Sequence, residues 1–302
     1  MFSTRTGAAK LLISIVIGLI LLKIIVGWLT GSISVLAQAA DSILDLFAGI
    51  VTLTAIRAAT KPPDEEHPYG HGKIEDIAGV LQGILIAIAG GLIIYSSIRR
   101  IIVGSSIELA EVGIGAMLVS IVASTFLARH LLRVSRATNS VSLEANARNI
   151  TADIYSALAV LVGLIITRLT GLGVIDSIIA IGVAIYILKI GYDTIRKPLS
   201  GLVDTKLSQI QEATIKSCLI KHSQQVVGFH DLRTRRAGSQ RHIDLHLVMP
   251  EDINLKLAHD VCDQIEVEIQ TKLPESNVTI HVEPCNWECK QCSVACSKRN
   301  LK

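Results

Sequence analysis

The chain has 302 residues, of which 50% are hydrophobic and 18% charged, and its formal net charge is +3. Soluble domains carry about 25% charged residues, so this composition and the mean hydropathy of +0.51 exclude an ordinary soluble protein. The sequence has no cluster of Lys and Arg interleaved with aromatic residues, and we therefore exclude nucleic acid as a partner.

Charged residues are unevenly distributed along the chain. Among the first 200 residues 29 are charged, against 26 of the last 102. Crossing a bilayer takes about 20 predominantly apolar residues, and the first part of the chain contains six runs of that kind. They cover residues 9–30, 33–56, 77–98, 107–132, 145–168 and 174–195. The first run is long for a signal peptide, so we interpret it as a span that is retained.

An even number of spans places both termini on one side of the membrane. Near the span ends, most Lys and Arg residues lie on that side, whereas Arg99, Arg100 and Arg168 lie on the other. Positive residues accumulate in cytoplasmic loops. The sequence therefore predicts a multi-pass membrane protein, embedded in the lipid bilayer, with both termini in the cytoplasm.

The last third of the chain has the pattern of a small α+β domain with the order αββαβ. Helical periodicity covers residues 207–223 and 255–272, and strand-like alternation covers 226–235, 241–249 and 278–283. Along these strands His246, His281 and Glu283 alternate with apolar residues, which places them on the face away from the core. We predict a transmembrane domain over 1–200, a cytoplasmic domain over 201–286 and a flexible tail over 287–302.

Two predicted spans carry polar pairs four residues apart. Asp41 and Asp45 lie in the second span, and Asn149 and Asp153 lie in the fifth; this spacing puts each pair on one helix face. A carboxylate within a bilayer costs about 2.5–3.5 kcal/mol unless it is paired or bound to a cation. Because basic partners within the spans are few, a divalent cation is the natural counter-charge. The alternative is that these residues face a water-filled crevice or cap helix ends.

Two further groups have the chemistry of metal ligands. Asp64, His67 and His71, after the second span, offer oxygen and imidazole ligands to a zinc-like ion. The alternative is a solvated loop whose histidines bind nothing. Four cysteines crowd the C-terminal end, where their thiolates could hold a soft metal or be incidental to a disordered tail: Cys285, Cys289, Cys292 and Cys296. This crowding is unlike a secreted disulfide framework and indicates a reducing compartment.

Together these motifs resemble the cation diffusion facilitator family, and specifically its bacterial ferrous-iron/zinc efflux branch. The resemblance extends over nearly the whole chain, from about residue 21 to residue 285. It rests on Lys23 through Gly31-Ser32 to Asp41-Ser42-x-x-Asp45, on His67-x-x-Gly70-His71-Gly72-Lys73-x-Glu75, on Asp153, on Gly228-x-His230-Asp231-Leu232-Arg233, and on His246, Ala258-His259 and His281-x-Glu283-Pro284-Cys285.

This resemblance implies a homodimeric, proton-coupled antiporter that exports divalent metal cations (zinc, iron(II) or manganese(II)) from the cytoplasm, and not an enzyme. It also implies a metallochaperone-like, ferredoxin-like cytoplasmic domain. Carried over by position, the implied residues are a transport site of Asp41, Asp45, Asn149 and Asp153, a loop site of Asp64, His67 and His71, a cytoplasmic site of His230, His246, His259, His281 and Glu283, and a salt bridge between Lys73 and Asp204 that links the two domains.

Position 149 departs from the pattern of the family, whose zinc-transporting members have histidine there. An amide oxygen in place of an imidazole leaves an all-oxygen ligand set, which favours manganese(II) or iron(II) over zinc. The change also removes a titratable imidazole, so we expect protons to bind the aspartates instead. Two other functions stay open: a membrane-anchored metal sensor, and an intramembrane metal-dependent hydrolase, although the sequence lacks a His-Glu-x-x-His motif.

Overall fold

The chain divides into two compact units, Met1–Leu202 and Val203–Lys302. The structure is a computed structural model that describes residues 4–30, 33–103, 111–170 and 174–285. The predictions for Cys289, Cys292 and Cys296 lie outside the described residues.

The first unit is a bundle of long helices. Its elements are α1 (Arg5–Thr30), α2 (Ile33–Ala59), α3 (Lys73–Val103), α4 (Glu111–Thr138), α5 (Val141–Thr170) and α6 (Val174–Leu202). Within the described residues, five of them (α1, α2, α3, α4 and α6) contain a stretch long and apolar enough to cross a membrane. Large apolar side chains such as Leu29, Phe47 and Ile102 are more than half exposed, as expected for lipid-facing positions.

Helix α5 differs from the others because its first half is polar. It has 30 residues and carries Glu144, Arg148, Asn149 and Asp153. Four other helices, α2, α3, α4 and α6, pack against it. Polar side chains within membrane proteins face the bundle interior or a water-filled cavity. Because α5 packs against four helices, its polar residues can face that interior.

The beginning of α3 is fixed by a buried carboxylate. Glu75 is fully buried, and its Oε1 accepts hydrogen bonds from the hydroxyls of Ser140 and of Ser142, the latter at 3.1 Å. The neighbouring Asp76 is also fully buried, and a Cβ added at Gly201 of α6 would lie 2.7 Å from its Oδ2. These contacts tie the start of α3 to the α4–α5 junction and to the end of α6.

The second unit is an open three-stranded sheet covered by helices. Its elements are α7 (Gln209–Lys221), β1 (Gly228–Ala237), β2 (Gln240–Met249), α8 (Leu255–Lys272) and β3 (Ser276–Pro284). Strand β2 is central, antiparallel to β1 and parallel to β3, with α8 as the crossover. Buried Leu245 and Leu247 of β2 pack with Ile265 of α8. The predicted combination of a transmembrane helical region with an αββαβ domain is confirmed.

Candidate metal-binding sites

A contact between α2 and α5 joins the two polar pairs of the membrane unit. Asn149 Nδ2 donates a hydrogen bond to Asp45 Oδ1 at 3.2 Å, and both side chains are half-buried. Asp153 lies one turn further along α5 and is exposed. Asp41 belongs to α2, one turn before Asp45, but its side chain lies outside the described residues. The structure thus brings together two predicted ligands that are 104 positions apart in sequence.

Next to this contact lies a buried polar network that the sequence did not predict. Gln82 Nε2 of α3 donates to Thr52 Oγ1 at 2.5 Å and to the Ala48 carbonyl at 3.2 Å. Asn146 Nδ2 of α5 donates to the same Thr52 oxygen at 3.2 Å. Thr52, Gln82 and Asn146 are at most 2% exposed. The network holds α2, α3 and α5 together one to two turns from the Asp45–Asn149 contact, and so it positions that contact.

The loop between α2 and α3 gathers a carboxylate and two imidazoles. Asp64 Oδ1 lies 3.3 Å from His67 Nδ1, and Asp64 Oδ2 lies 3.3 Å from His71 Nε2. One ligand atom from each of the three residues falls within 4.8 Å of the others. Gly70 has φ of 81°, a left-handed conformation that favours glycine and turns the chain back between the two histidines.

Asp64 is held in its ionised form. The hydrogen bond from the backbone N–H of His67, 2.7 Å long, is the main cause that lowers the pKa of the Asp64 carboxyl, with smaller contributions from the two imidazoles. His71 is largely buried, and within the described residues its Nδ1 has no hydrogen-bond partner. An ionised carboxylate beside two imidazoles is a ligand set suited to a divalent transition metal.

The sheet of the second unit gathers a similar group at its face opposite the core. His230 on β1 is paired with His246 on β2. Glu283 on β3 bridges them, since its Oε2 lies 3.0 Å from His230 Nε2 and its Oε1 lies 2.7 Å from His246 Nδ1. Hydrogen bonding to His246, and then to His230, lowers the pKa of Glu283. One ligand atom from each of these three residues lies within 4.8 Å of the others.

An irregularity in β1 sits next to this group. The register between β1 and β2 shifts between His230 and Arg233, where Asp231 has a φ of 50°. Such bulges re-aim side chains beside functional sites. Asp231 Oδ2 lies 3.6 Å from His230 Nδ1, which adds a second carboxylate at the edge of the group.

Two of the predicted cytoplasmic ligands, His281 and His259, are not members of this three-residue group. His281 is paired with His246, and its Nε2 lies 3.7 Å from Glu283 Oε1, so it stands at the margin of the group. His259 lies on α8, is 72% exposed and has Asp263 at 3.6 Å. Helix α8 covers the apolar face of the sheet, so within one chain the described residues do not bring His259 to the opposite face.

Contacts of two further predicted residues are described here within each unit. Lys73 Nζ donates to the Leu202 carbonyl at 3.4 Å, within the first unit. Asp204, in the second unit, accepts from Arg235 Nη1 at 3.3 Å. The salt bridge between Lys73 and Asp204 stays a prediction. Cys285 is a half-buried free thiol at the end of the described chain.

Two family descriptions match the chain in succession, one over each unit. The cation efflux transmembrane domain matches residues 9–203, and the cation efflux protein cytoplasmic domain matches residues 207–285. The chain belongs to the cation efflux family. The predicted membership of the cation diffusion facilitator family is thereby confirmed. Cation efflux family members are transporters, which also confirms that the protein is not an enzyme.

Relatives within the cation efflux family match most of the chain. The cation-efflux pump FieF of Salmonella paratyphi A is 33% identical over 272 residues, 89% of each protein. An uncharacterized transporter of Synechocystis sp. is 33% identical over 256 residues, 85% of this chain and 83% of its own. A solved structure of CzrB in its zinc form is 32% identical over 28% of this chain and 94% of that chain, with a TM-score of 0.26. The protein is a multi-pass member of this membrane family.

Proposed function

We propose that the protein is a proton-coupled antiporter that exports a divalent transition-metal cation from the cytoplasm by alternating access. The observation that carries this proposal is the hydrogen bond between Asp45 of α2 and Asn149 of α5. Asp153 follows Asn149 by one turn of α5, and Asp41 precedes Asp45 by one turn of α2, so the contact joins the two helices that carry all four proposed ligands. An ionised carboxylate within a membrane span costs free energy unless its charge is compensated. A transported divalent cation provides that compensation.

The ligand set favours a cation that prefers oxygen. Asn149 contributes an amide oxygen where an imidazole would suit zinc, so we expect iron(II) or manganese(II) to be preferred over zinc as substrate. A shift in selectivity away from zinc is therefore an expectation specific to position 149 of this chain.

Exchange of the metal for protons follows from competition for the same oxygens. A carboxylate that carries a proton has lost most of its affinity for a cation, so metal binds the deprotonated site and protonation releases it. Asn149 does not titrate, which leaves the aspartates Asp41, Asp45 and Asp153 as the proton acceptors. In the proposed cycle, metal enters from the cytoplasm, the site opens to the other side, and protons displace the metal there.

The other two groups bind metal outside the transport site. The loop group of Asp64, His67 and His71, and the sheet group of His230, His246 and Glu283, have imidazole ligands, and each group includes exposed residues. We propose that the sheet group senses cytoplasmic metal in a homodimer formed through the second unit, with both termini in the cytoplasm and the spans in the inner membrane. A sensor that only uses the membrane unit as an anchor would leave the Asp45–Asn149 contact without a role.

Vesicles with an imposed pH gradient test this function. We expect purified protein reconstituted into proteoliposomes to accumulate iron(II) or manganese(II) several-fold faster when the vesicle interior is acidic than when the pH is equal on both sides. A protonophore collapses the gradient and serves as the control. Metal uptake that is indifferent to the gradient would contradict proton coupling, and absence of uptake for every divalent cation would contradict the transport function itself.

A further inference from the structure

Lys23 of α1 is a basic residue within a membrane span, and its ammonium group is directed at α2. Its Nζ donates a hydrogen bond to Ser42 Oγ at 2.8 Å; Lys23 is half-buried, and Ser42 is 5% exposed. Lys23 lies three residues before the end of the candidate span Arg5–Val26. Lysines near span ends usually extend their ammonium groups toward water. Here the ammonium group is instead held in the packing between α1 and α2.

The partner of Lys23 stands within the transport-site sequence. Ser42 follows Asp41 directly and precedes Asp45 by three residues. Residues three apart on a helix share a face, with about 5–6 Å between their Cβ atoms. The hydrogen bond to Ser42 therefore places a positive charge beside the face of α2 that carries Asp45.

Helix α4 also packs against α1, and the apolar part of its sequence carries no charge. Leu127 and Leu131 of α4 belong to one apolar cluster with α1 residues from Ala8 to Ile20. Between Val112 and Ala128, α4 has no ionisable side chain. The described carboxylate nearest to this contact along α2 is that of Asp45, three residues from Ser42.

We propose that Lys23 sets the affinity of the transport site, because its fixed positive charge limits how tightly the site holds a divalent cation. This inference rests on the proposed function, in which Asp41, Asp45 and Asp153 hold the substrate. Three carboxylates with one ammonium group carry a net charge that a single divalent cation neutralises. Without the ammonium group, a bound cation leaves one carboxylate uncompensated and is held more tightly. Transport requires binding that is also weak enough for release.

Neutral replacements of Lys23 separate this role from a structural one. Lys23→Gln removes the charge but keeps a donor for Ser42, Lys23→Arg keeps the charge, and Lys10→Gln changes an exposed lysine of the same helix. The readout is the initial rate of manganese(II), iron(II) and zinc uptake by proteoliposomes as a function of metal concentration. We expect Lys23→Gln to lower KM about tenfold and to lower kcat, because one repulsive unit charge is removed close to the cation. We expect Lys23→Arg and Lys10→Gln to keep the wild-type KM.

The direction of the change in KM decides the outcome. A purely structural role of Lys23 would raise KM or leave it unchanged in Lys23→Gln, and either result would overturn the proposal. Lys23→Met is the second neutral variant, for use if Lys23→Gln does not fold, and the same expectation applies to it. Asp45→Asn, assayed in parallel, isolates the proposed function. If Asp45→Asn is inactive while neutral Lys23 variants keep the wild-type KM, only the inference about Lys23 fails; if Asp45→Asn transports normally, the proposed site itself fails.

Discussion

Replacing Asp45 by Asn is expected to reduce divalent-cation uptake by proteoliposomes at least about 100-fold. Mutation of a residue that only hydrogen-bonds to a metal ligand already lowers metal affinity or activity by up to about 100-fold, and Asp45 is itself a proposed ligand. The substitution keeps the size of the side chain and a hydrogen-bonding partner for Asn149, from which Asp45 accepts at 3.2 Å. It removes a negative charge and a proton acceptor together. Folding is therefore expected to be preserved, and the loss is expected in the transport rate.

The matched control is Asp193→Asn, which neutralises an exposed aspartate of α6. We expect this variant to transport at the wild-type rate and both variants to elute as the wild-type species on size exclusion. Wild-type uptake by Asp45→Asn would show that the contact between α2 and α5 is not the site through which the cation passes.

Asn149→His is expected to raise the ratio of zinc uptake to manganese(II) uptake at least about tenfold, because imidazole nitrogen suits zinc and carboxylate or amide oxygen suits manganese(II). The imidazole would stand where the amide now donates to Asp45, within reach of the same carboxylate. Both metals are measured in the same vesicle preparation, so that differences in protein content cancel.

Asn149→Asp is the matched control for this second variant, because it changes the charge at position 149 but keeps an oxygen ligand. We expect it to leave the order of preference among the metals unchanged. If Asn149→His also leaves that order unchanged, the residue at position 149 does not determine selectivity, and the all-oxygen ligand set is not the reason for any preference.

Local patterns were sufficient to predict the elements of both units. The apolar runs predicted the helices of the membrane unit, and α8 was predicted over residues 255–272, which are the bounds that the structure has. Alternation along β2 and β3 placed His246, His281 and Glu283 on one face, because side chains in a strand point alternately to opposite sides. The structure brings His246 and Glu283 into contact on that face.

Contacts between distant segments were not available from local patterns. Spacing put Asp45 and Asn149 on helix faces, but only the packing of α2 against α5 brings them to 3.2 Å. Gln82 is an isolated polar residue in an apolar helix, and nothing in its neighbourhood indicated that it would bond to Thr52. Periodicity also does not state which face of a sheet a helix covers. His259 was grouped with the sheet histidines by resemblance, whereas α8 lies on the other face.

The most direct test of the central claim, that an oxygen-lined site between α2 and α5 carries a divalent cation, is the order of preference of the wild-type protein. Uptake of zinc, iron(II), manganese(II), cobalt(II) and cadmium is measured side by side in proteoliposomes with an acidic interior and equal metal concentrations. We predict that iron(II) or manganese(II) is taken up fastest, with zinc and cadmium behind. The claim would be contradicted if zinc or cadmium were taken up fastest and Asp45→Asn left that uptake unchanged.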